Sequence, residues 1–396
     1  MTEQIADPAR NPAPGSPAPA APGRLAALDV LRGIAILGTL ATNVWIMTDS
    51  EGMIGYLGHV GSTSAGWTER VLQQIAQGKF LGLLTIMFGI GLAIQQATAT
   101  RARRRWPGGY PWRAGLLFLD GVVNFVLVAE FDVLMGYAVT GLVVAFLLAT
   151  SERAQRRWLI VATAVHLTLL TLIAVVLATA QATESAPPAP LDPNPYADGS
   201  FWDLALFRLE NAGLFRLEPV VIFPMSVALF LTGAVLFRRG VFRPEGARLR
   251  RGLMIVGAAA AVVDLLAGVL GGGNALIFTR YGTAPLVSFG LLALVAECYA
   301  HGRRTGFAGR RLTEVGRTAL SCYILQNLVA SALCYGWGLG LAARVGDETR
   351  VPFTIGVYLL VCAVVVTAAH LWLRRFDRGP VEWLWHTSYR RLAGDR

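Results

Sequence analysis

The sequence predicts an all-α, polytopic membrane helical bundle of about ten transmembrane helices, with both termini in the cytoplasm. Of the 396 residues, 54% are hydrophobic and only 15% are charged. Several apolar runs reach about 18 residues, the length that crosses a ~30 Å hydrocarbon core. These runs are apolar on nearly all sides, whereas the helices of a soluble helical enzyme carry polar faces. We therefore expect a multi-pass protein whose main partner is the lipid bilayer.

The chain divides into four segments at changes in composition. Residues 1–23 are rich in Pro and Ala and are expected to form a disordered cytoplasmic tail. Residues 24–180 form a first region of five spans. Residues 181–218 form an extracytoplasmic Pro-rich loop that ends in an amphipathic helical segment. Residues 219–396 form a second region of five spans, and because five is odd, the two regions permit an inverted repeat.

Ten apolar stretches are the candidate spans. They are residues 25–48, 80–97, 112–128, 133–149, 158–180, 220–237, 253–270, 284–300, 319–343 and 353–373. Arginine clusters between them alternate with segments poor in arginine, so the positive-inside rule predicts cytoplasmic termini. The net charge of +10 is spread over these short clusters. We therefore expect no nucleic-acid partner.

Sequence motifs for metals and tightly bound cofactors are lacking. The four cysteines lie in apolar segments without CxxC spacing, which favours small buried hydrophobic side chains. There is no metal-ligand spacing, phosphate loop or dinucleotide fingerprint. We predict no metal site and no permanently bound cofactor.

Polar residues interrupt the first span, "LDVLRGIAILGTLATNVW". Asp29, Arg32, Thr39 and Asn43 fall within about 80° on one face of a helix, and the stripe is ~21 Å long. Asp29 and Arg32 alone could be a pair that reaches the lipid headgroups. Asn43 needs a polar partner inside the bundle or a wet cavity, so the stripe also fits one wall of a polar path.

Two further polar clusters follow. Lys79 is the only lysine beside 34 arginines, which fits either a headgroup anchor or a site that needs an ammonium group. The hairpin between the third and fourth spans contains a cluster of polar residues. They are Asp120, Asn124, Glu130, Asp132 and Tyr137. The acids are either solvated at the hairpin tip or face inward and form an acid/base or substrate-binding site with Lys79 and Asn43.

The remaining candidates lie in later spans. The stretch "GRTALSCYILQNL" contains Arg317, Gln326 and Asn327 as candidate binding residues. No histidine or acid follows or precedes Ser321 at a spacing that would indicate a catalytic nucleophile. A serine in a membrane helix more often bonds its hydroxyl to a helix backbone. His166 could relay protons, although a lone histidine on an apolar face is more often a hydrogen-bonded core residue.

These motifs together resemble the YeiB-like bacterial inner-membrane proteins, whose second half is called domain of unknown function 418. The resemblance is carried by "LDVLRG" with Asn43, and by "GKF" followed by "FGIGLAI". It continues in "FDVLMGYAVTGL", "GRTALSCYILQNL" and "GPVEWLWHTSYR", in the family's order. The resemblance implies a multi-pass protein of the inner (plasma) membrane.

The first half of such proteins also looks like the heparan-α-glucosaminide acetyltransferases, which use cytoplasmic acetyl-CoA to modify a saccharide across the membrane. The resemblance implies that Asp29, Arg32 and Asn43 line a donor tunnel. The family usually has histidine where this chain has Asn124, and an asparagine cannot act as a general base near neutral pH. Another base would then be needed, and His59, in the loop after the first span, is a candidate.

The sequence therefore supports two main functional hypotheses, and a scaffold for other envelope proteins is a third possibility. The first is a transmembrane acyltransferase that passes an acyl group from acetyl-CoA or another acyl-CoA to an envelope glycan or lipid. Its candidate catalytic residues are His59, Lys79 and Asp132, and its candidate binding residues are Asp29, Arg32, Asn43, Asn124, Tyr137, Arg317, Gln326 and Asn327. The alternative is a secondary transporter or lipid flippase. In that case Gly33 and Gly38, and later Pro219, Pro224 and Gly233, would mark two broken helices.

Overall fold

The computed structural model describes residues 26–59, 66–180, 190–271, 273–300 and 306–392. These residues form helices and connecting loops, with no β-strand among them. The predicted tail at residues 1–23 lies outside the described residues.

In the first half of the chain, the described residues form seven helices. They are α1 (Ala26–Met47), α2 (Gly52–His59), α3 (Trp67–Ala76), α4 (Lys79–Arg101), α5 (Tyr110–Leu127), α6 (Leu134–Leu148) and α7 (Glu152–Ala180). Three short helices follow the Pro-rich segment: α8 (Phe201–Glu210), α9 (Ala212–Phe215) and α10 (Leu217–Val221).

The second half begins with α11 (Phe223–Arg238), α12 (Ala247–Leu270) and α13 (Gly273–Phe278). A π-helical turn, Thr279–Thr283, joins α13 to α14 (Ala284–Tyr299). The last four helices are α15 (Phe307–Arg317), α16 (Ala319–Cys334), α17 (Asp347–Trp372) and α18 (Pro380–Leu392).

Each of the ten predicted spans coincides with a helix, but fewer than ten meet the requirements for a membrane crossing. Among the described residues, six helical segments are long and apolar enough, and a seventh results if α9 to α11 count as one bent span. Two other apolar helices, α6 and α16, have only 15 and 16 residues. The structure therefore supports a helical membrane bundle, without fixing the number of spans at ten.

Helix α1 is the central element of the bundle. Its first half packs with α4, α6 and α11 in one apolar core, and its second half packs with α16 and α17 in another. We call the end of the bundle where α1 begins the near face, and the end where α1 finishes the far face. The α5–α6 hairpin packs against the last turns of α1 and therefore lies at the far face.

Close contact between helices explains the glycines of α1. A side chain on Gly33 would collide with the backbone carbonyl of Leu312 in α15, and one on Gly38 would collide with the ring of Phe80. Helix α1 is continuous through both positions. The broken first helix expected for a transporter is therefore wrong, because these glycines allow close packing rather than unwinding.

A bend is present in the second helix that the transporter hypothesis singled out. The axes of α9–α10 and α11 differ by 44°. Pro224 occupies the first turn of α11, where its missing N–H costs no helical hydrogen bond. After the Pro-rich loop, where the sequence predicts an amphipathic helical segment, the structure has the helix α8, which a Ser200–Asp203 capping box begins.

Candidate functional site

A cavity of about 330 Å³ lies in the far half of the bundle. Part of its wall is aliphatic and comes from α7 and the α9–α11 bend, through Leu169, Leu170, Ile173, Leu217 and Ile222. The remaining wall carries polar and charged groups. They are Thr39, Thr42, Asn43, Tyr56, Gln77, Asp132, His166, Arg216, Glu218, Arg280, Tyr281 and Tyr323. The cavity thus has both apolar and polar walls.

Asp132 lies at the tip of the α5–α6 hairpin with its carboxylate buried. Asn124 donates to Oδ1 at 2.8 Å, and the Met135 backbone N–H donates to Oδ2 at 3.2 Å. Burial raises the pKa of Asp132 to about 6, against the opposing effects of these hydrogen bonds and of Arg216. A carboxyl group with this pKa can accept or release a proton close to neutral pH.

Arg216, between α9 and α10, binds the tip of the hairpin. Its guanidinium donates to the backbone carbonyls of Glu130 and Asp132. It lies 4.2 Å from the centre of the Phe125 ring and 3.9 Å from Asp132 Oδ2. The Nε atom is buried without a hydrogen-bond partner. The hairpin carbonyls take only two of the five N–H donors of this guanidinium, so Arg216 keeps donors for a ligand oxygen in the cavity.

A second charged group consists of Arg280, Tyr281 and Glu218. Arg280 Nη2 donates to Glu218 Oε1 at 2.8 Å, and the Tyr281 hydroxyl donates to the same oxygen at 2.7 Å. Arg280 Nη1 also reaches Gln77 Oε1 at 3.2 Å. Arg280 and Tyr281 lie in the π-helical turn. In this wider turn, two consecutive side chains reach one carboxylate.

His166 lines the same cavity from the half-buried side of α7. Its Nε2 atom lies 3.0 Å from the Tyr281 carbonyl oxygen. Because a carbonyl only accepts hydrogen bonds, Nε2 carries the proton and Nδ1 keeps its lone pair in the neutral ring. His166 is therefore hydrogen-bonded, as a core histidine would be, and it also lines the cavity as a possible proton acceptor.

The polar stripe of α1 reaches the cavity only with its second half. Thr39 and Asn43 are in the wall. Asp29 and Arg32 form a pair of 3.3 Å near the start of α1, and neither lines the cavity. Asp29 is buried where α15 crosses, since a side chain on Gly316 would collide with the Asp29 carbonyl.

Buried amides extend from the cavity into the bundle. Tyr323 of α16 is in the wall, and Gln326 and Asn327 lie on the next turn of α16, each 0% exposed. Both amide atoms of Gln326 lack a hydrogen-bond partner among the described residues. On the other side, the Tyr137 hydroxyl pairs with Thr85 at 2.8 Å. The structure thus brings Asn43, Asp132, Asn124 and Asn327 into one region.

Lys79 lies outside the cavity wall, in a buried ion pair with Asp264. Its ammonium also donates to the carbonyls of Gln74 at 2.6 Å and Gln77 at 3.3 Å. Asp264 accepts further hydrogen bonds from Gln74 Nε2 and Thr283, each at 2.7 Å. Three acceptors converge on one nitrogen, which a compact ammonium satisfies better than a planar guanidinium.

Two other predicted site residues lie elsewhere. His59 is the last residue of α2, and its side chain is outside the described part of the structure. Arg317 ends α15 at the near face, where it donates to the Asp377 carbonyl at 3.0 Å. Arg317 therefore lies on the near side of the cavity and is not part of its wall.

Arg216, Glu218, Arg280 and Tyr281 are among the cavity residues that the sequence prediction omitted. They belong to "FRLEP" and "TRYGT", which read as ordinary boundaries of membrane helices. An arginine and a glutamate two residues apart before Pro219 were the available signal. Among the described residues, no group of three or more His, Cys, Asp or Glu side chains could hold a metal ion.

Comparison with known proteins identifies the family. Residues 236–391 match the family described as "Protein of unknown function (DUF418)". The chain is 30% identical over 392 residues to "Uncharacterized protein YxaH" of Bacillus subtilis, covering 92% of this chain and 94% of the relative. It is 28% identical over 390 residues to "Uncharacterized protein YeiB" of Escherichia coli, covering 93% of this chain and 96% of that protein. The chain therefore belongs to the YeiB-like family of proteins with a DUF418 domain.

Proposed function

We propose that this protein is a transmembrane acyltransferase of the inner membrane, with ten spans and cytoplasmic termini, that acylates an amphiphilic envelope molecule. One observation carries the proposal: His166, with its Nε2 proton held by a backbone carbonyl, lines a cavity that has both aliphatic and charged walls. A base beside a binding cavity is what an acyl-transfer reaction requires.

The walls of the cavity favour an amphiphilic acceptor. The side chains of α7 that point away from the bundle are apolar and exposed, which is typical of a helix that faces lipid. Leu169, Leu170 and Ile173 on its other side form the aliphatic wall. An acceptor with an acyl or isoprenoid tail would pack there, and its polar headgroup would face Asn43, Asp132 and Arg216. The acceptor class is accordingly a lipid or a lipid-linked glycan.

The reaction follows from the side chains on the polar wall. His166 Nδ1 removes the proton from an acceptor hydroxyl, whose oxygen attacks the carbonyl carbon of the acyl thioester. A carbon–oxygen bond forms, and the carbon–sulfur bond breaks. The proton then passes from His166 to the leaving thiolate and gives the free thiol. Asp132 is the second candidate base, since its pKa is raised to about 6.

The acyl donor would be acetyl-CoA or another acyl-CoA bound at the near face. Arg32 lies there beside Asp29, with 38% of its side chain exposed. Thr39, the nearest cavity residue on α1, is seven residues further along, or ~10 Å at 1.5 Å per residue. The thioester must cover this distance, so donor binding would have to separate α1 from its neighbours.

Transfer of a radiolabelled acetyl group tests the proposal. Purified wild-type protein, incubated with labelled acetyl-CoA and an envelope lipid extract, should label a lipid-soluble product. His166→Gln should lower the rate by about 10²–10⁴-fold, the usual contribution of a general base. His386→Gln is the matched control, because His386 lies in α18, away from the cavity. Equal rates for the wild type and His166→Gln would exclude His166 as the base.

Transport of a lipid without covalent chemistry is the second candidate function, and the 44° bend before α11 favours it. Ile222, at the bend, is part of the cavity wall. A change in the bend would therefore alter the cavity. This candidate predicts that the protein moves fluorescent lipid between the leaflets of proteoliposomes and that labelled acetyl-CoA yields no acylated product.

A further inference from the structure

The C-terminal helix α18 is attached to the near face by a carboxylate. Glu382 Oε1 accepts hydrogen bonds from the backbone N–H groups of Leu320 at 2.7 Å and Ser321 at 3.2 Å. Ser321 also donates its hydroxyl to Glu382 and accepts from the Val381 N–H at 3.1 Å. Leu320 and Ser321 are in the first turn of α16, whose N–H groups have no partner within the helix.

Glu382 thus caps α16 from a distant part of the chain. Thr318, at the position before α16, makes no side-chain cap of its own. A carboxylate at a helix N-terminus satisfies the free N–H groups and interacts favourably with the helix dipole. The first turn of α16 therefore depends on the position of α18.

Arg113 of α5 contacts the same side of α18 as the Glu382 cap does. Its guanidinium lies 4.4 Å from the ring centre of Tyr389 and 5.8 Å from that of Trp385. Arg317 fixes the preceding loop through the Asp377 carbonyl. With one side of α18 held by α5 and α16, the helix exposes a defined opposite side.

The exposed side is both aromatic and basic. Trp383 and Leu384 are 62% and 59% exposed, and Phe376 in the preceding loop is 52% exposed. The segment 372–391 also carries five exposed arginines against one exposed carboxylate, Asp377. The five arginines are Arg374, Arg375, Arg378, Arg390 and Arg391.

This surface begins where the last apolar helix ends. Trp372, the last residue of α17, stacks on Phe376 with ring centres 4.4 Å apart. Exposed tryptophans beside the end of a membrane span are typical of the membrane–water interface, and clustered arginines there attract anionic lipid headgroups. The charge and the aromatic side chains therefore complement an anionic lipid surface.

We propose that α18 and the loop before it dock on anionic phospholipid headgroups, and that this docking stabilises the Glu382 cap on α16. Tyr323, two residues after Ser321, lines the cavity. The lipid surface is thereby connected to the cavity through the first turn of α16. The inference stands independently of whether the cavity catalyses acyl transfer.

Hydrogen exchange in lipid nanodiscs tests this inference. The full-length protein is placed in phosphatidylcholine alone and in phosphatidylcholine with phosphatidylglycerol, and exchange is measured for peptides that cover the first turn of α16. Phosphatidylglycerol should slow exchange there about tenfold, which corresponds to about 1.4 kcal/mol. Inorganic phosphate added to phosphatidylcholine discs should leave the exchange unchanged.

Matched charge variants complete the experiment. A variant with Arg374, Arg375, Arg390 and Arg391 changed to Gln should lose the effect of phosphatidylglycerol. The control changes Arg103, Arg105, Arg156 and Arg157, four exposed arginines elsewhere, to Gln and should keep the effect. An equal effect in both variants, no effect in the wild type, or the same slowing by inorganic phosphate would overturn the proposal.

Discussion

The contacts of Lys79 explain why this one position carries a lysine in a protein whose other basic residues are arginines. Its ammonium satisfies Asp264 and two backbone carbonyls in a buried site that joins the α3–α4 turn to α12. Lys79→Met would leave the Asp264 carboxylate buried without a charge partner. We expect a loss of about 3–5 kcal/mol in the free energy of unfolding. Thermal unfolding in detergent measures the loss.

Two companion variants sharpen the prediction for Lys79. Lys79→Arg keeps the charge but not the compact head, so its stability should lie between those of the wild type and Lys79→Met. The double change Lys79→Met with Asp264→Leu removes both charges and should recover much of the loss. A Lys79→Met protein as stable as the wild type would contradict the role of this pair.

Asp132 should make stability depend on pH. Folding raises the pKa of this carboxyl from 3.8 to about 6, mainly through burial. The folded state therefore binds the proton more tightly than the unfolded chain does. The resulting stability is fully present below about pH 4 and is lost as the pH rises through about 6. The melting temperature of the wild type, relative to that of the neutral variant Asp132→Asn, should fall over this range.

The comparison of the wild type with Asp132→Asn at higher pH is the control. Above about pH 7 the difference between the two proteins should become constant, because Asp132 is then ionised in both the folded and unfolded states. A difference that stays the same between pH 4 and pH 7 would show that the Asp132 pKa is not raised.

At the element scale, the contact between α1 and α15 depends on glycine. A side chain on Gly316 would collide with the backbone carbonyl of Asp29. Alanine favours a helix over glycine by about 1 kcal/mol, but forcing a methyl group into a packed interface costs about 1–3 kcal/mol. Gly316→Ala should therefore lower the melting temperature.

Gly115→Ala is the control for this contact. Gly115 lies in α5, and a methyl group there would meet no atom within 4 Å. Only the gain in helix propensity then applies, so Gly115→Ala should leave the melting temperature unchanged or raise it. If Gly316→Ala raised it equally, close packing of α1 on α15 would be refuted.

The sequence predicted the elements better than the contacts between them. Long apolar runs found the helices, because a membrane helix satisfies its backbone within one segment. The polar stripe of α1 suggested one wall of a polar path, and Thr39 and Asn43 of that stripe line the cavity together with Asp132. The sequence did not predict that Arg280 and Tyr281 belong to the site. A π-helical turn directs both side chains to Glu218, and the hydrophobic pattern of the sequence does not reveal such a turn.

At the scale of the whole molecule, the cavity draws on both halves of the chain. Thr39, Asn43 and Asp132 come from the first half, whereas Arg280 and Tyr323 come from the second. The DUF418 match covers only residues 236–391. We therefore expect that neither half alone forms the site.

Cysteine labelling tests the proposed orientation of the bundle. In a variant without the four native cysteines, Asp198→Cys and Arg105→Cys place single thiols at exposed positions on the far and near sides. With Arg105 in the cytoplasm, a membrane-impermeant maleimide added to intact cells should label Asp198→Cys and not Arg105→Cys. The reverse labelling would contradict cytoplasmic termini, and labelling of both after cell lysis confirms that both thiols react.

The central claim is that an amphiphile occupies the cavity, and photo-crosslinking tests it most directly. An amphiphile with a diazirine in its acyl chain should label residues 39–46 of α1, which are otherwise shielded by the bundle. Leu170→Trp places a larger side chain in the aliphatic wall, where it fills part of the cavity, and should abolish that labelling. Leu172→Trp, on the exposed side of α7, should preserve it. Labelling confined to exposed helix faces, or equal labelling of α1 in both variants, would contradict the account.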